Sequence, residues 1–282
     1  MQIRTLSSDE VKLAVVWAAA EGWNPGLFDA ESFYAADPQG FIGAFIDDEL
    51  VGTISAVRYG DDFSFLGLYI VAPQFRGRGI GTALWAAAME RVSGSAVGLD
   101  GVLEMQSAYE LSGFKLAHRN VRYGGVPHRA GSRSAGQAGE LRELSTGDLE
   151  AIATLDRECF GAERNAFLSD WIQQPHARTA GVFQGENCLG FSVLRECGVG
   201  FKFGPVFAES REIAQFLVEE LLKKISPGSQ IFLDVSVDHA AGVELAEGLG
   251  LEPVFETVRM YANGQPAIDQ PKVFGVTSFE LG

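Results

Sequence analysis

The chain has 282 residues, 46% hydrophobic and 21% charged. That balance fits a globular protein long enough for two domains and excludes disordered, collagen-like and small disulfide-scaffold chains. Twenty-two Lys and Arg against 37 Asp and Glu leave a net charge of −15, which repels phosphate backbones and anionic lipid surfaces and argues against nucleic acid or a membrane as partner.

Residues 2–6 read as a short strand. Ser7-x-x-Glu10 is a capping-box pattern that opens a helix with Val11, Val15 and Ala18 on one face. Strands rich in Phe, Ile, Val and Tyr follow at 41–46, 50–59 and 63–71. A glycine-rich loop then leads into a helix whose apolar face is Ile80, Ala83, Leu84, Ala87 and Ala88. Residues 96–100 form another strand, 104–112 a short helix and 114–123 a last strand, so the class is a mixed α/β sheet with helices on its faces.

Residues 125–139, GVPHRAGSRSAGQAG, lose every apolar period and read as a linker. The flanking halves repeat each other. QIRTLSSDEV (2–11) matches ELRELSTGDL (140–149), Gly52 and Gly60 recur as Gly190 and Gly198, and Gly113 through Arg122 recurs as Gly250 through Arg259. The near-constant offset implies two copies of one domain, at 1–124 and 140–282, carrying net charges of −6 and −11.

Cys159, Cys188 and Cys197 are odd in number, and they and His118, His128, His176 and His239 show no metal-ligand spacing. The expectation is reduced thiols in a cytoplasmic protein with no metal site. No apolar run approaches the roughly 18 residues of a membrane span. The start, Met-Gln-Ile-Arg-Thr, is unlike a secretory signal.

The chemistry is concentrated at Gln74-Phe75-Arg76-Gly77-Arg78-Gly79-Ile80-Gly81-Thr82, between a buried strand broken by Pro73 and the next helix. Glycines let the backbone turn tightly and approach a ligand, and the N–H groups of a helix N-terminus favour a phosphate. A P-loop needs a Lys that is absent here. A dinucleotide fingerprint matches Gly77 and Gly79 but has Thr82 at its third glycine, although Asp100 mimics the ribose-binding acid.

Gln74-x-x-Gly77-x-Gly79 followed by Ile80-Gly81 resembles the acyl-CoA pyrophosphate loop of the GNAT acetyltransferase superfamily. Tyr109-Glu110-Leu111-Ser112-Gly113-Phe114 resembles its Tyr-x-x-x-Gly-Phe segment, and the order of elements across 1–124 agrees. One departure is Val102, where members often carry Asn. The resemblance implies two tandem GNAT-like domains, each a mixed, mostly antiparallel sheet flanked by helices. It also implies acetyl-CoA as co-substrate. Backbone groups of Ile70 and Val71 would hold the pantetheine arm as an extra strand. The N–H groups from Arg76 through Gly77, Arg78, Gly79, Ile80 and Gly81 to Thr82 would hold the pyrophosphate, and Tyr109 would protonate the departing thiolate.

The strand 63–71 has no carboxylate, so no general base stands out; Asp61, Asp62 and Glu104 are the nearest acids in sequence. In the second copy Glu212 stands opposite Gly79 and Ala246 opposite Tyr109, so that copy is expected to be degenerate. The function expected is N-acetylation of a small-molecule or peptide amine, centred in the first domain, with Trp23 and Phe28 as candidates to line the acceptor pocket. The alternative is a non-catalytic acyl-CoA-binding or regulatory protein.

Overall fold

The computed structural model describes residues 1–128 and 139–282; the greater part of the linker segment, 129–138, lies outside the described residues. In chain order the first half contains β1 (Gln2–Thr5), α1 (Ser8–Ala20), α2 (Asp29–Ala36), β2 (Phe41–Ile46), β3 (Glu49–Tyr59), β4 (Phe63–Val71), α3 (Ile80–Arg91), β5 (Ala96–Val102), α4 (Gln106–Leu111) and β6 (Lys115–Gly125). The second half contains β7 (Glu140–Arg142), α5 (Leu149–Phe160), α6 (Asn165–Trp171), β8 (Arg178–Gln184), β9 (Asn187–Glu196), β10 (Phe201–Ala208), α7 (Arg211–Leu222), β11 (Ile231–Ser236), α8 (Ala240–Gly248), β12 (Glu252–Ala262) and β13 (Val273–Gly275).

Both copies start alike. The Ser7 N–H donates to Glu10 Oε2 at 2.8 Å while Ser7 Oγ accepts from the Glu10 N–H. Ser145 and Asp148 close the same reciprocal box at the corresponding place in the second copy. Val11, Ala14, Val15 and Ala18 are the buried face of α1. On α3 the buried residues are Ile80, Leu84 and Ala88, spaced i, i+4, i+8. Gly52 permits this packing, since a Cβ there would stand 2.8 Å from Leu84 Cδ1. Helices α2 and α6 carry no strong sequence signal. They meet across the halves, with Phe33 stacked on Trp171 at 6.1 Å and Ser32 Oγ bonded to Asp170 Oδ1.

The strands form one sheet in the order β1-β2-β3-β4-β5-β12-β6-β11-β10-β9-β8-β7, with β13 paired to β10 off this path. The last long strand of each copy has changed places. β12 pairs β5 from Thr257↔Val102 to Ala262↔Val97, and β6 pairs β11 from Ile231↔Gly125 to Ser236↔Asn120. Each exchanged strand carries an arginine that forks onto a carboxylate of the other copy. Arg122 binds both oxygens of Asp234 at 2.7 and 2.8 Å, and Arg259 binds both oxygens of Asp100 at 2.8 and 2.6 Å. All four side chains are buried. Two charge-assisted bonds in parallel fix orientation as well as partner, so these pairs specify the exchange. Asp100, which mimics a ribose-binding acid in the sequence, is thus committed to Arg259 and Asn120.

Candidate active site

β4 and β5 run parallel from Phe63↔Ala96 to Leu66↔Leu99 and then part. The divergence begins at a bulge: the register against β3 shifts between Thr53 and Ser55, Leu68 takes φ +45°, and Thr53 Oγ1 donates to the Leu68 carbonyl at 2.8 Å. A leucine in that left-handed region costs about 1–2 kcal/mol, and burial of its side chain holds it there. Between the parted strands lies a cavity of ≈ 360 Å³, lined among others by Tyr69, Val71, Gly101, Val102, Tyr109 and Phe255.

The glycine loop stands at the mouth. A single 3₁₀ turn at Pro73–Phe75 is followed by Gly77 at φ +76° and Gly79 at φ +77°, the latter capping α3 without any side-chain bond. A Cβ at either glycine would meet nothing within 4 Å, so the backbone conformation, not crowding, requires glycine there. Among the described residues the N–H groups of Gly77, Arg78, Gly79, Ile80, Gly81 and Thr82 have no acceptor. Six free donors lie in and before the first turn of a 12-residue helix, at its positive end, an arrangement that favours phosphate. Gly81 has a separate reason to be small: a Cβ there would lie 2.6 Å from the Tyr69 hydroxyl.

The two arginines of the loop differ. Arg78 is exposed, with its guanidinium 5.2 Å from the Phe75 ring. Arg76 is tied down, donating from Nε to the Val71 carbonyl at 2.8 Å and pairing with Glu21 beyond α1. The pairing of β3 with β4 also separates Ile70 from Val71. The Ala72 N–H donates to the Val51 carbonyl, and Thr53 stands opposite Ile70. By the alternation of an antiparallel ladder, the backbone polar groups of Ile70 face β3, and those of Tyr69 and Val71 face the opening.

Tyr109, within α4, lies over β5. Its ring stacks on Trp85 at 5.4 Å, and Gly101 makes the space, since a Cβ there would come within 2.3 Å of Tyr109 Cε2. Burial, with Tyr69 nearby, pushes the phenol up to about 12. It is therefore protonated throughout the physiological range. Val102, at the position of the missing Asn, lines the cavity too.

Trp23 lines the cavity, but Phe28 does not; it sits 5.6 Å from the His176 ring. Asp61, Asp62 and Glu104 are exposed and outside it. Three other carboxylates line it: Glu21, paired with Arg76; Asp100, held by Arg259; and Glu280. Neither oxygen of Glu280 has a hydrogen-bond partner. Glu280 was missed because residues 270–282 carry no motif and no periodicity, and only the tertiary fold brings them here.

The equivalent place in the second half is closed. β10 and β11 also pair in parallel, from Phe201↔Ile231 to Phe203↔Leu233. Beyond that point β13 fills the gap, pairing antiparallel with β10 at Val206↔Gly275 and Phe207↔Val273, while the Val276 N–H donates to the Asp234 carbonyl. The N-terminus of α7 is capped by Ser210 Oγ, which accepts from the Ile213 N–H. The backbone N–H of Glu212 and the Ser210 hydroxyl hold the Glu212 carboxyl below the usual carboxylate pKa range. Ala246 stands buried where Tyr109 stands in the first half.

A parted parallel strand pair with a glycine loop and a helix N-terminus free of any side-chain cap beside it defines an open binding cleft in the first half. Residues 8–111 match the Acetyltransferase (GNAT) family and residues 152–275 an Acetyltransferase (GNAT) domain. The chain belongs to the GNAT acetyltransferase family, with two such units in tandem, and is an acyltransferase of that family. A curated relative, the holothin acyltransferase of a Pseudoalteromonas strain, is 28% identical over 276 residues, 98% of this chain and 92% of the relative. An uncharacterized N-acetyltransferase, YitH of Bacillus subtilis, is 20% identical over 84% of this chain and 83% of its own length. The fold is shared with a putative acetyltransferase from Pyrococcus horikoshii at TM-score 0.82, 19% identity and coverage of 100% and 95% of the two chains. A tandem GNAT protein from the clavulanic acid biosynthesis pathway aligns at TM-score 0.62 and 17% identity, over 94% of this chain and 99% of that one.

Proposed function

We propose that the protein transfers an acetyl group from acetyl-CoA to the nitrogen of a small amine, at the cavity of the first half. The observation that carries this reading is the open gap between β4 and β5, facing six backbone N–H groups without acceptors. The pyrophosphate of the donor would accept from residues 77–82, and the pantetheine arm would lie along β4 against the backbone of Val71. On this reading the units along the chain are 1–124 and 140–282, each completed by the other's exchanged strand. The second half supplies a likeness of the bound arm, because β13 occupies on β10 the place the arm would take on β4.

The residues divide the chemistry. The Tyr69 and Val71 backbone orients the arm so that the thioester reaches the inner cavity. The neutral amine attacks the thioester carbonyl carbon, the C–N bond forms and the C–S bond breaks. The Tyr109 hydroxyl gives its proton to the leaving sulfur, and the nitrogen sheds one in turn, so the phenol is restored by exchange through the open mouth. Trp23, Phe255 and Phe279 enclose the acceptor side. A cavity of this size, walled by residues of both halves, suits a compact acceptor.

Two measurements test the reading. Titration calorimetry is expected to give one acetyl-CoA site per chain, since β13 and the capped α7 close the other place; two equivalent sites would contradict this. Release of CoA across a panel of amines is expected to favour cationic and neutral acceptors over phosphorylated ones, given the net charge of −15. A phosphorylated acceptor as best substrate would overturn the preference. Faster turnover with a longer acyl donor would replace acetyl, and CoA binding without turnover of any amine would leave a binding protein.

A further inference from the structure

Among the described residues, six titratable groups line the cavity of the first half: Glu21, Tyr69, Arg76, Asp100, Tyr109 and Glu280. The charged ones are all engaged elsewhere. Glu21 is paired with Arg76, and Arg76 also donates to the Val71 carbonyl. Asp100 is forked by Arg259 and bonded by Asn120. Both oxygens of Glu280 are without accessible surface, and the cations that feel its charge, Arg122, Arg195 and Lys202, do not line the cavity. Burial raises the Tyr69 and Tyr109 phenols, which stay neutral. Among the described residues the cavity therefore offers no unpaired carboxylate to hold an ammonium and no imidazole to deprotonate one.

Most of the remaining lining is apolar, and Trp23, Phe255 and Phe279 make the acceptor side aromatic. Aromatic rings can hold a cation, but these already serve one. The Arg122 guanidinium lies 5.7 Å from the centre of the Phe255 ring and 5.0 Å from that of Phe279, and it donates to the Trp23 carbonyl. An ammonium brought against them would lose its water without gaining a carboxylate, which is unfavourable. The net charge of −15 does not alter this, because exposed charges are screened beyond about 8 Å at physiological salt. It draws cations to the surface and leaves the choice inside to the cavity.

We propose that the acceptor is a weakly basic primary amine, its lone pair conjugated into a flat ring or double bond, which enters the cavity unprotonated and needs no enzymic base. This rests on the reading of that cavity as the acyl-transfer site, and it narrows the acceptors that the net charge admits to the neutral ones. An alkyl amine as basic as a Lys side chain, about 10.4, is unprotonated in only roughly 1 molecule in 2,500 at pH 7. Conjugation removes that penalty. It also gives the flat body that fits against Phe255 and Phe279, whose ring centroids are 6.3 Å apart. The amine lone pair forms the C–N bond at the thioester carbonyl carbon, and the C–S electrons move to sulfur. Tyr109 protonates the sulfur, and a nitrogen proton replaces the one Tyr109 gave. No proton is released or taken up overall.

The test compares aniline with cyclohexylamine, similar in size and opposite in basicity, as acceptors for the full chain with saturating acetyl-CoA. Aniline is expected to release CoA with a kcat/KM that stays level from about pH 6 to pH 9. Cyclohexylamine is expected to give a kcat/KM about 10²–10³-fold lower at pH 7, rising about tenfold per pH unit as its neutral fraction grows, and not to compete with aniline at pH 7. A cyclohexylamine kcat/KM equal to or above that of aniline at pH 7, or competition by the ammonium, would overturn the inference and leave acyl transfer standing. So would an acid-side limb at one constant pH with every amine, the mark of an enzymic base. Phe255→Ala, at a partly buried position, is expected to raise KM for aniline about tenfold with kcat and acetyl-CoA binding little changed; an unmoved KM would overturn the aromatic seat. Acetyl-CoA that does not bind, or that binds and turns over with no amine, would overturn the acyl-transfer reading and this inference together.

Discussion

Gly79→Glu is expected to abolish detectable acetyl-CoA binding while the protein stays folded. Two effects add. Gly79 sits at φ +77°, where a side chain costs about 1–2 kcal/mol. The new carboxylate would also stand at the N-terminus of α3, where it would accept the free N–H groups of residues 77–82 itself and repel a pyrophosphate. The second half offers a parallel, since Glu212 in the first turn of α7 meets its own N–H and the Ser210 hydroxyl. A Cβ at Gly79 points into open space, so the core has no reason to move. Calorimetry with Gly79→Ala as control separates the two effects: the alanine pays only the backbone strain and is expected to retain weakened binding. Unchanged affinity in Gly79→Glu would show that the loop does not seat the pyrophosphate.

Tyr109→Phe is expected to lower kcat by about 10²–10⁴-fold with little change in acetyl-CoA affinity. The thiol of CoA has an ordinary acidity near that of free Cys, about 8.5. The departing thiolate therefore needs a donor already protonated at the working pH. Burial pushes Tyr109 up to about 12, so the phenol is retained and no alkaline fall in kcat is expected from it at neutral or mildly alkaline pH. Phenylalanine keeps the stack on Trp85 and the fit over Gly101, so the fold is preserved. Normal kcat in the variant would reduce Tyr109 to a packing residue. Normal kcat with weakened acetyl-CoA binding would make it a donor contact.

These two residues were legible in the sequence because their signals are local. A glycine at a left-handed position and a tyrosine four residues before Gly113 are set by a few neighbouring residues. The roles within the loop were less legible. The N–H of Arg76 reads as a pyrophosphate ligand by position, yet it donates to the Pro73 carbonyl at 3.3 Å, and the guanidinium is tied to Val71 and Glu21. Ile70 and Val71 read as equivalent, yet the ladder turns one toward β3 and the other toward the opening. Both distinctions depend on which strand lies alongside.

The sequence by itself determined the repeat, the α/β class, the capped start of each copy and the single glycine loop, because periodicity, capping and backbone conformation are carried by residues close in the chain. Only the tertiary structure decided which copy each strand completes. Two similar copies present similar edges, so β6 and β12 fit either sheet by pattern alone. The forked pairs Arg122–Asp234 and Arg259–Asp100 join residues more than a hundred positions apart. The same holds for the closure of the second groove by β13 and for the arrival of Glu280 at the first. Those contacts form between surfaces that exist only after both halves have folded, and no local spacing in residues 270–282 encodes them.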